Sequence, residues 1–133
     1  MSVVRFGVSL EKELLEALDN FVNESHFTNR SQAIRQLITN NLIEKKWTSN
    51  DVVAGAISLV YDHHKRDLLN KLADLQHDYH DAILATQHFH LDHDNCLEII
   101  AVKGESSKLT MLANKLIALK GIQHGKLIMS NTE

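Results

Sequence analysis

Val4, Phe6, Val8 and Leu10 alternate with Arg5, Gly7 and Ser9, the period of a half-buried strand. From Glu11 the period lengthens. Leu14, Leu15, Leu18, Phe21 and Val22 fall on one helical stripe, with Glu13, Glu16, Asp19 and Asn20 outside it. Polar residues from Asn23 to Thr28 interrupt this helix, and Asn29 or Thr28 can cap a second one whose inner face is Ala33, Ile34, Leu37, Ile38 and Leu42. After Trp47 the polar run Thr48-Ser49-Asn50-Asp51 marks a short linker. The chain is therefore expected to divide into a domain over 1–46, a linker over 47–51 and a second domain over 52–133.

The second domain reads as a strand over Val52–Tyr61 and a helix over Lys65–Gln76 with Leu68, Leu69, Leu72 and Leu75 inward. Strands are expected over Ala82–Leu91 and Cys96–Val102. Ser106 is expected to cap a helix running to Lys120, Gly121 to stop it, and Ile122–Met129 to close the domain as a strand. This βαββαβ order is the ferredoxin-like unit, and the whole chain is of the α+β class. Such a sheet covers one face with helices and must hide the other against a partner.

The first domain, with a single strand, buries too little apolar surface to stand alone and leaves both edges of that strand unpaired. Pairing two chains through their strands solves both problems and gives a ribbon-helix-helix dimer, whose two-stranded ribbon fits the DNA major groove. Arg5, Gly7 and Ser9 would then face the bases. Arg5 can bond a guanine through both O6 and N7, a contact worth about 1–3 kcal/mol of discrimination. Asn29-Arg30-Ser31, at the start of the second helix, offers backbone N–H groups to a phosphate, while Arg35 reads as a solvated side chain. A strand-helix-helix of this size also suits a plain dimerisation module.

Composition narrows the setting. The chain has 133 residues, no proline, one cysteine and a net charge of −3. Six basic and six acidic residues balance over 1–46, so the negative charge lies beyond, and any DNA contact depends on a few placed arginines and backbone amides. With neither an apolar run long enough to cross a membrane nor a secretion signal, a cytoplasmic protein with no membrane partner is expected. One cysteine cannot form an internal disulfide, so among histidines in a reducing compartment it reads as a ligand or a buried apolar group.

The strongest chemical signal is Gln87-His88-Phe89-His90, then Asp92-His93-Asp94-Asn95-Cys96. Residues i and i+2 of a strand lie on one face about 6.8 Å apart, so His88 and His90 can address one ion, with Phe89 turned the other way into a core. For Cys96 to join them, the hairpin loop must contain an odd number of residues, because a one-residue slip would send the thiol to the opposite face. The sheet's helix-free face is the expected location, since polar groups there would otherwise lack a reason. His77, at a helix end, is a candidate fourth ligand from its own chain or from a partner. His80 and His93 read as solvated, and His63, His64 and His124 as surface or helix-end residues. Three imidazoles and a thiolate suit zinc if tetrahedral, and Ni(II) or Cu(II) if planar. A hydrolytic metalloenzyme is disfavoured, because four protein ligands close the coordination sphere and no spare carboxylate is placed as a base. Glu98 is better placed to steady a ligand histidine from behind.

These residues carry a resemblance to the nickel-responsive transcriptional regulators, the NikR family, over essentially the whole chain. The segments are Arg5-Phe6-Gly7-Val8-Ser9-Leu10, Asn29-Arg30-Ser31-Gln32-Ala33-Ile34-Arg35, Tyr61-Asp62-His63-His64-Lys65-Arg66, Gln76-His77, His88-Phe89-His90, Cys96-Leu97-Glu98 and Gly121-Ile122-Gln123-His124-Gly125-Lys126-Leu127. The resemblance implies a homotetramer, a dimer of ribbon-helix-helix dimers joined through four ACT-like domains, binding the palindromic half-sites of a double-stranded DNA operator. It implies one Ni(II) per chain, held in a plane by His88, His90 and Cys96 of one chain and His77 of another, with Glu98 and Tyr61 behind them. It implies a regulator rather than an enzyme, and repression of nickel uptake. Rival readings are a regulator answering to cobalt, copper or zinc, and a metal store that ignores DNA. The sequence departs from the family's usual pattern at Gly7, where Ser or Thr is common, and at Gln32 and Gln36, where many members carry carboxylates.

Overall fold

The computed structural model describes residues 2–132. The chain falls into two compact units, Met1–Asn41 and Leu42–Glu133. In the first, helix α1 (Lys12–Glu24) precedes the start of helix α2 (Arg30–Thr48). Asn29 caps α2: its Oδ1 accepts the Gln32 N–H at 2.9 Å, and Gln32 Oε1 in turn accepts the Thr28 N–H at 2.6 Å. Arg30 grips Asp19 of α1 through two bonds, Nε to Oδ1 at 2.7 Å and Nη2 to Oδ2 at 3.0 Å, which hold the Asp19 carboxyl below its usual range.

The strand expected over residues 4–10 is not formed within one chain. A strand exists only by pairing its backbone, and residues 2–10 find no ladder partner in their own chain. Their apolar alternation is nonetheless expressed in packing, because Phe6, Val8 and Leu10 line one cleft with Leu14, Leu18, Phe21 and Leu37. That surface stays open: Phe6 is 74% exposed and Val8 61%. Contiguous apolar exposure on this scale marks an association surface.

The second unit carries strands β1 (Val52–Asp62), β2 (Ile83–His90), β3 (Asn95–Glu105) and β4 (Ile122–Met129), with helices α3 (Arg66–Asp78) and α4 (Ser106–Ile117). A short 3₁₀ turn, His80–Ala82, occupies the place where β2 was expected to begin. The antiparallel sheet has the order β2-β3-β1-β4, the ferredoxin-like arrangement. Ile57, Leu59, Tyr61, Ile100 and Val102 face the helices and pack with Leu68, Leu72, Leu109, Leu112 and Leu116 in one core. β1 and β3 run in register from Val52↔Glu105 to Asp62↔Asn95, so every residue of that core face is placed by its partner.

Three departures from the sequence reading have a clear physical cause. Trp47 and Thr48, expected in the linker, are the last residues of α2, because the indole is buried: its ring lies over Gly55 and its Nε1 donates to the Ser130 carbonyl at 2.9 Å. A Cβ on Gly55 would come within 2.4 Å of the Ile128 backbone oxygen, so only glycine fits beneath that ring. Helix α4 ends at Ile117 rather than Lys120, and the turn reaches β4 through Gly121 at a φ of +107°. Ser106 does not cap α4. It is already inside the helix, and the cap comes from Asn50, whose Oδ1 accepts from Ser107 N at 3.0 Å and Ser107 Oγ at 2.6 Å. Local sequence cannot reveal a cap supplied from 57 residues away. Asn50→Ala is therefore expected to lower stability by about 0.5–2 kcal/mol, read as a shift in the urea midpoint. Asn50→Gly, which keeps the left-handed backbone (φ 58°) and removes the cap, should show most of the same loss.

Candidate functional site

The β2–β3 hairpin builds the centre. His90 pairs directly with Cys96 and His88 with Glu98, so all four side chains share one face. Five residues, 91–95, separate the His90–Cys96 pair, the odd count that the sequence reading required. The face itself is a correction. Cys96, Glu98, Ile100 and Val102 alternate toward the helices and are buried, so the imidazoles lie on the helix-covered side, where His88 lines a cleft with Leu69, Ala73 and Gln76 of α3. Phe89, expected to enter a core, instead points to the helix-free face and is 47% exposed. The reversal follows from register: Glu98 and Cys96 continue the same alternation that buries Ile100.

Glu98 organises this end of the sheet. It is a carboxylate only 1% exposed, and both oxygens are engaged. The Tyr61 hydroxyl donates to Oε1, His88 Nε2 lies 3.0 Å from the same oxygen, and Gln76 Nε2 donates to Oε2 at 2.7 Å. Burial first, and then the bond to Glu98, push the Tyr61 phenol well above its usual range, so it remains a donor. A His88 that donates from Nε2 keeps Nδ1 with a free lone pair for a cation. The donor chemistry of His88, His90 and Cys96, two imidazoles and one thiol, fits a borderline transition ion.

His77 is not brought to these residues in its own chain. It is exposed on the last turn of α3, its ring stacked 6.0 Å from that of His80. Its neighbour Gln76 nevertheless reaches Glu98, and Thr86 Oγ1 donates to Gln76 Oε1 at 3.3 Å, so the end of α3 is tied to the hairpin. Nor do His88, His90 and Cys96 close on a common point: among the described residues, the three groups whose ligand atoms all lie within 4.8 Å of one another are His64, His93 and Asp94. His63, read as a surface residue, has a structural role. Its ring bonds the His93 carbonyl at 2.8 Å and lies 5.0 Å from the His90 ring. Two-residue spacing flagged His88 and His90, but no such pattern links the 63–64 corner to the hairpin.

In the first unit Arg5, Gly7 and Ser9 are all exposed. Arg5 lines a groove of about 560 Å³ together with Ser31 and Arg35, so Arg35 stands beside the arginine singled out from the strand pattern. The Arg30 guanidinium and the Asn29 side chain hold the α1–α2 corner, and Asn29 takes the Gln32 and Ala33 N–H groups, while Ser31 is exposed beside Arg5 and Arg35.

Residues 54–130 match the family described as the NikR C terminal nickel binding domain, and residues 4–45 match ribbon-helix-helix proteins of the copG family. A protein of Syntrophus aciditrophicus named "Putative nickel-responsive regulator" is 57% identical over 128 residues, covering 96% of this chain and 93% of its own. Proteins of the same name from Chlorobium phaeobacteroides and Pyrococcus furiosus are 50% and 47% identical, covering 98% and 99% of this chain and 98% and 96% of their own. An uncharacterized protein of Thermotoga maritima, 14% identical, superposes with a TM-score of 0.53 over 59% of this chain and 98% of that one, a likeness of fold alone.

Proposed function

The chain belongs to the family of nickel-responsive, ribbon-helix-helix transcriptional regulators, and from that premise we propose that it represses nickel-uptake genes as a homotetramer that grips its operator when nickel is bound. The family regulates transcription and is not enzymatic, so the site is read as a sensor. The observation that carries the reading is the hairpin register, which sets His88, His90 and Cys96 on one face with the buried Glu98 braced against His88.

In this reading each chain offers His88, His90 and Cys96 to one Ni(II), and His77 of another chain completes the set. A bound nickel ion would supply a cross-link between chains through these imidazole and thiolate donors. Glu98 keeps His88 in the tautomer that presents Nδ1, and Tyr61 and Gln76 hold Glu98 in place. The apolar faces around Phe6, Val8 and Leu10 pair two chains, turning Arg5, Gly7 and Ser9 toward the bases of palindromic half-sites, while Asn29, Arg30 and Ser31 frame a phosphate position at the head of α2. A cytoplasmic setting goes with this reading. A metal that bound every arrangement equally would switch nothing, so occupancy must favour the placement of the paired arms that fits DNA.

The test is operator binding by the full chain with Ni(II), Co(II), Cu(II) and Zn(II) in turn. Nickel should tighten binding by about 5- to 150-fold, the usual range of allosteric coupling. Equal affinity with and without nickel would remove the regulatory reading and leave a metal store.

A further inference from the structure

His77 is the member of the candidate ligand set that must reach across to another chain, so the direction in which the end of α3 points decides whether it arrives. Little on the helix itself holds that end. From Ala73 to Asp78 every side chain is exposed or half-buried, and the last turn of a helix frays when nothing ties it down. Tyr79, which closes the helix, is the next buried residue and belongs to the core. Its N–H donates to the Leu75 carbonyl at 3.2 Å, and His80 Nδ1 meets the His77 carbonyl at 3.0 Å, so two carbonyls of the helix end are satisfied. Helix α4 grips this corner from outside. Lys115 Nζ donates to the Tyr79 hydroxyl at 3.1 Å and lies 5.4 Å from the centre of its ring, and Lys108 Nζ bonds Asp81 Oδ2 at 2.6 Å. An open cleft of about 470 Å³, lined by Leu75, Asp78, Lys115 and Leu119, separates the last turn of α3 from α4, which leaves Lys115 to bridge them.

We propose that Tyr79, gripped by Lys115 of α4, is a positioning residue that aims His77 out of its own chain and toward the hairpin of another. The inference rests on the ligand set proposed above. Two attachments make the aim definite. Gln76 ties the helix to the hairpin of its own chain through Glu98 and Thr86, and that tie alone would leave the last turn free to pivot about it. Tyr79 supplies the second tie, against a different element. His77 lies between the two along the chain, so fixing both neighbours fixes its backbone while its imidazole stays exposed. A ligand already held in place loses little of the binding free energy to ordering. Neither Tyr79 nor Lys115 needs to touch the ion.

A double-mutant cycle on the full chain tests this, with Ni(II) affinity read by competition against a chelator. Lys115→Met keeps the stem over the Tyr79 ring and removes the ammonium, and Tyr79→Phe keeps the ring and removes the acceptor oxygen. Each should weaken nickel binding about three- to tenfold, the span that one hydrogen bond covers. In a His77→Ala background the same substitutions should leave affinity unchanged, because a residue that acts through His77 has nothing left to position. In the metal-free protein, amide hydrogen exchange at Tyr79 should quicken in Lys115→Met while the amides of β3 keep their wild-type rates. Equal losses with and without His77 would mark a general structural role and overturn the proposal. So would wild-type affinity in both Lys115→Met and Tyr79→Phe when His77→Ala is impaired. Wild-type affinity in His77→Ala itself would instead remove His77 from the ligand set, and this inference with it.

Discussion

Cys96→Ala is expected to abolish the nickel response while leaving a folded protein. The chain has no other thiol, and Cys96 is buried opposite His90 at the mouth of the helix-covered face. Loss of a group that merely supports a metal ligand costs about 10- to 100-fold in affinity, so loss of the thiolate itself should cost more than about 100-fold. The stability cost should be small, about 1 kcal/mol, because the missing sulfur is a single atom at the core's end. Competition with a chelator of known affinity measures the loss of nickel affinity, and operator binding at saturating and zero nickel measures the loss of response. The variant should retain only the weak, salt-sensitive DNA affinity of the metal-free protein. Nickel-dependent tightening that survived in Cys96→Ala would show that the sensor lies elsewhere.

Glu98→Ala should damage both stability and sensing. Removing this carboxylate leaves the buried Tyr61 hydroxyl and the half-buried Gln76 amide as donors without an acceptor, an outcome that costs about 2–4 kcal/mol. It also releases His88, and nickel affinity should fall about 10- to 100-fold. Urea denaturation and nickel titration report the two separately. Glu98→Gln retains the shape but replaces one acceptor oxygen with a donor, so it should fall between wild type and alanine in both measurements. A nickel affinity within twofold of wild type in Glu98→Ala would mean that His88 is not positioned through this contact.

How much could be read beforehand followed the range of the interactions. Elements whose identity rests on periodicity, such as the Leu68–Leu72 stripe of α3 or the alternation of β3, emerged within two or three residues of their expected ends. The loop count between His90 and Cys96 was legible because strand parity is a local rule. The choice of face was not. It depends on which side of the sheet α3 and α4 cover, and that is settled only when Ile100 and Val102 meet Leu109 and Leu112. Asn50 as the cap of α4, His63 as the clasp of the hairpin and Arg35 beside Arg5 escaped notice for the same reason: each partner is distant in the chain and leaves no spacing signature. The strand expected over residues 4–10 is a different case: it finds no ladder partner in its own chain, and in the proposed dimer a second molecule would supply one.

The seating of Trp47 over Gly55 sets the rule for anyone who would exchange the heads of such regulators. A graft that begins the sensor at Val52 discards the indole, exposes the slot beneath it and removes the Asn50 amide from the end of α4. Splicing a foreign DNA-reading head upstream of Leu42 carries both across, together with the Lys46 contact to Asn131. The natural seam for recombination in this protein therefore runs through the middle of a helix and not through the polar stretch that follows it.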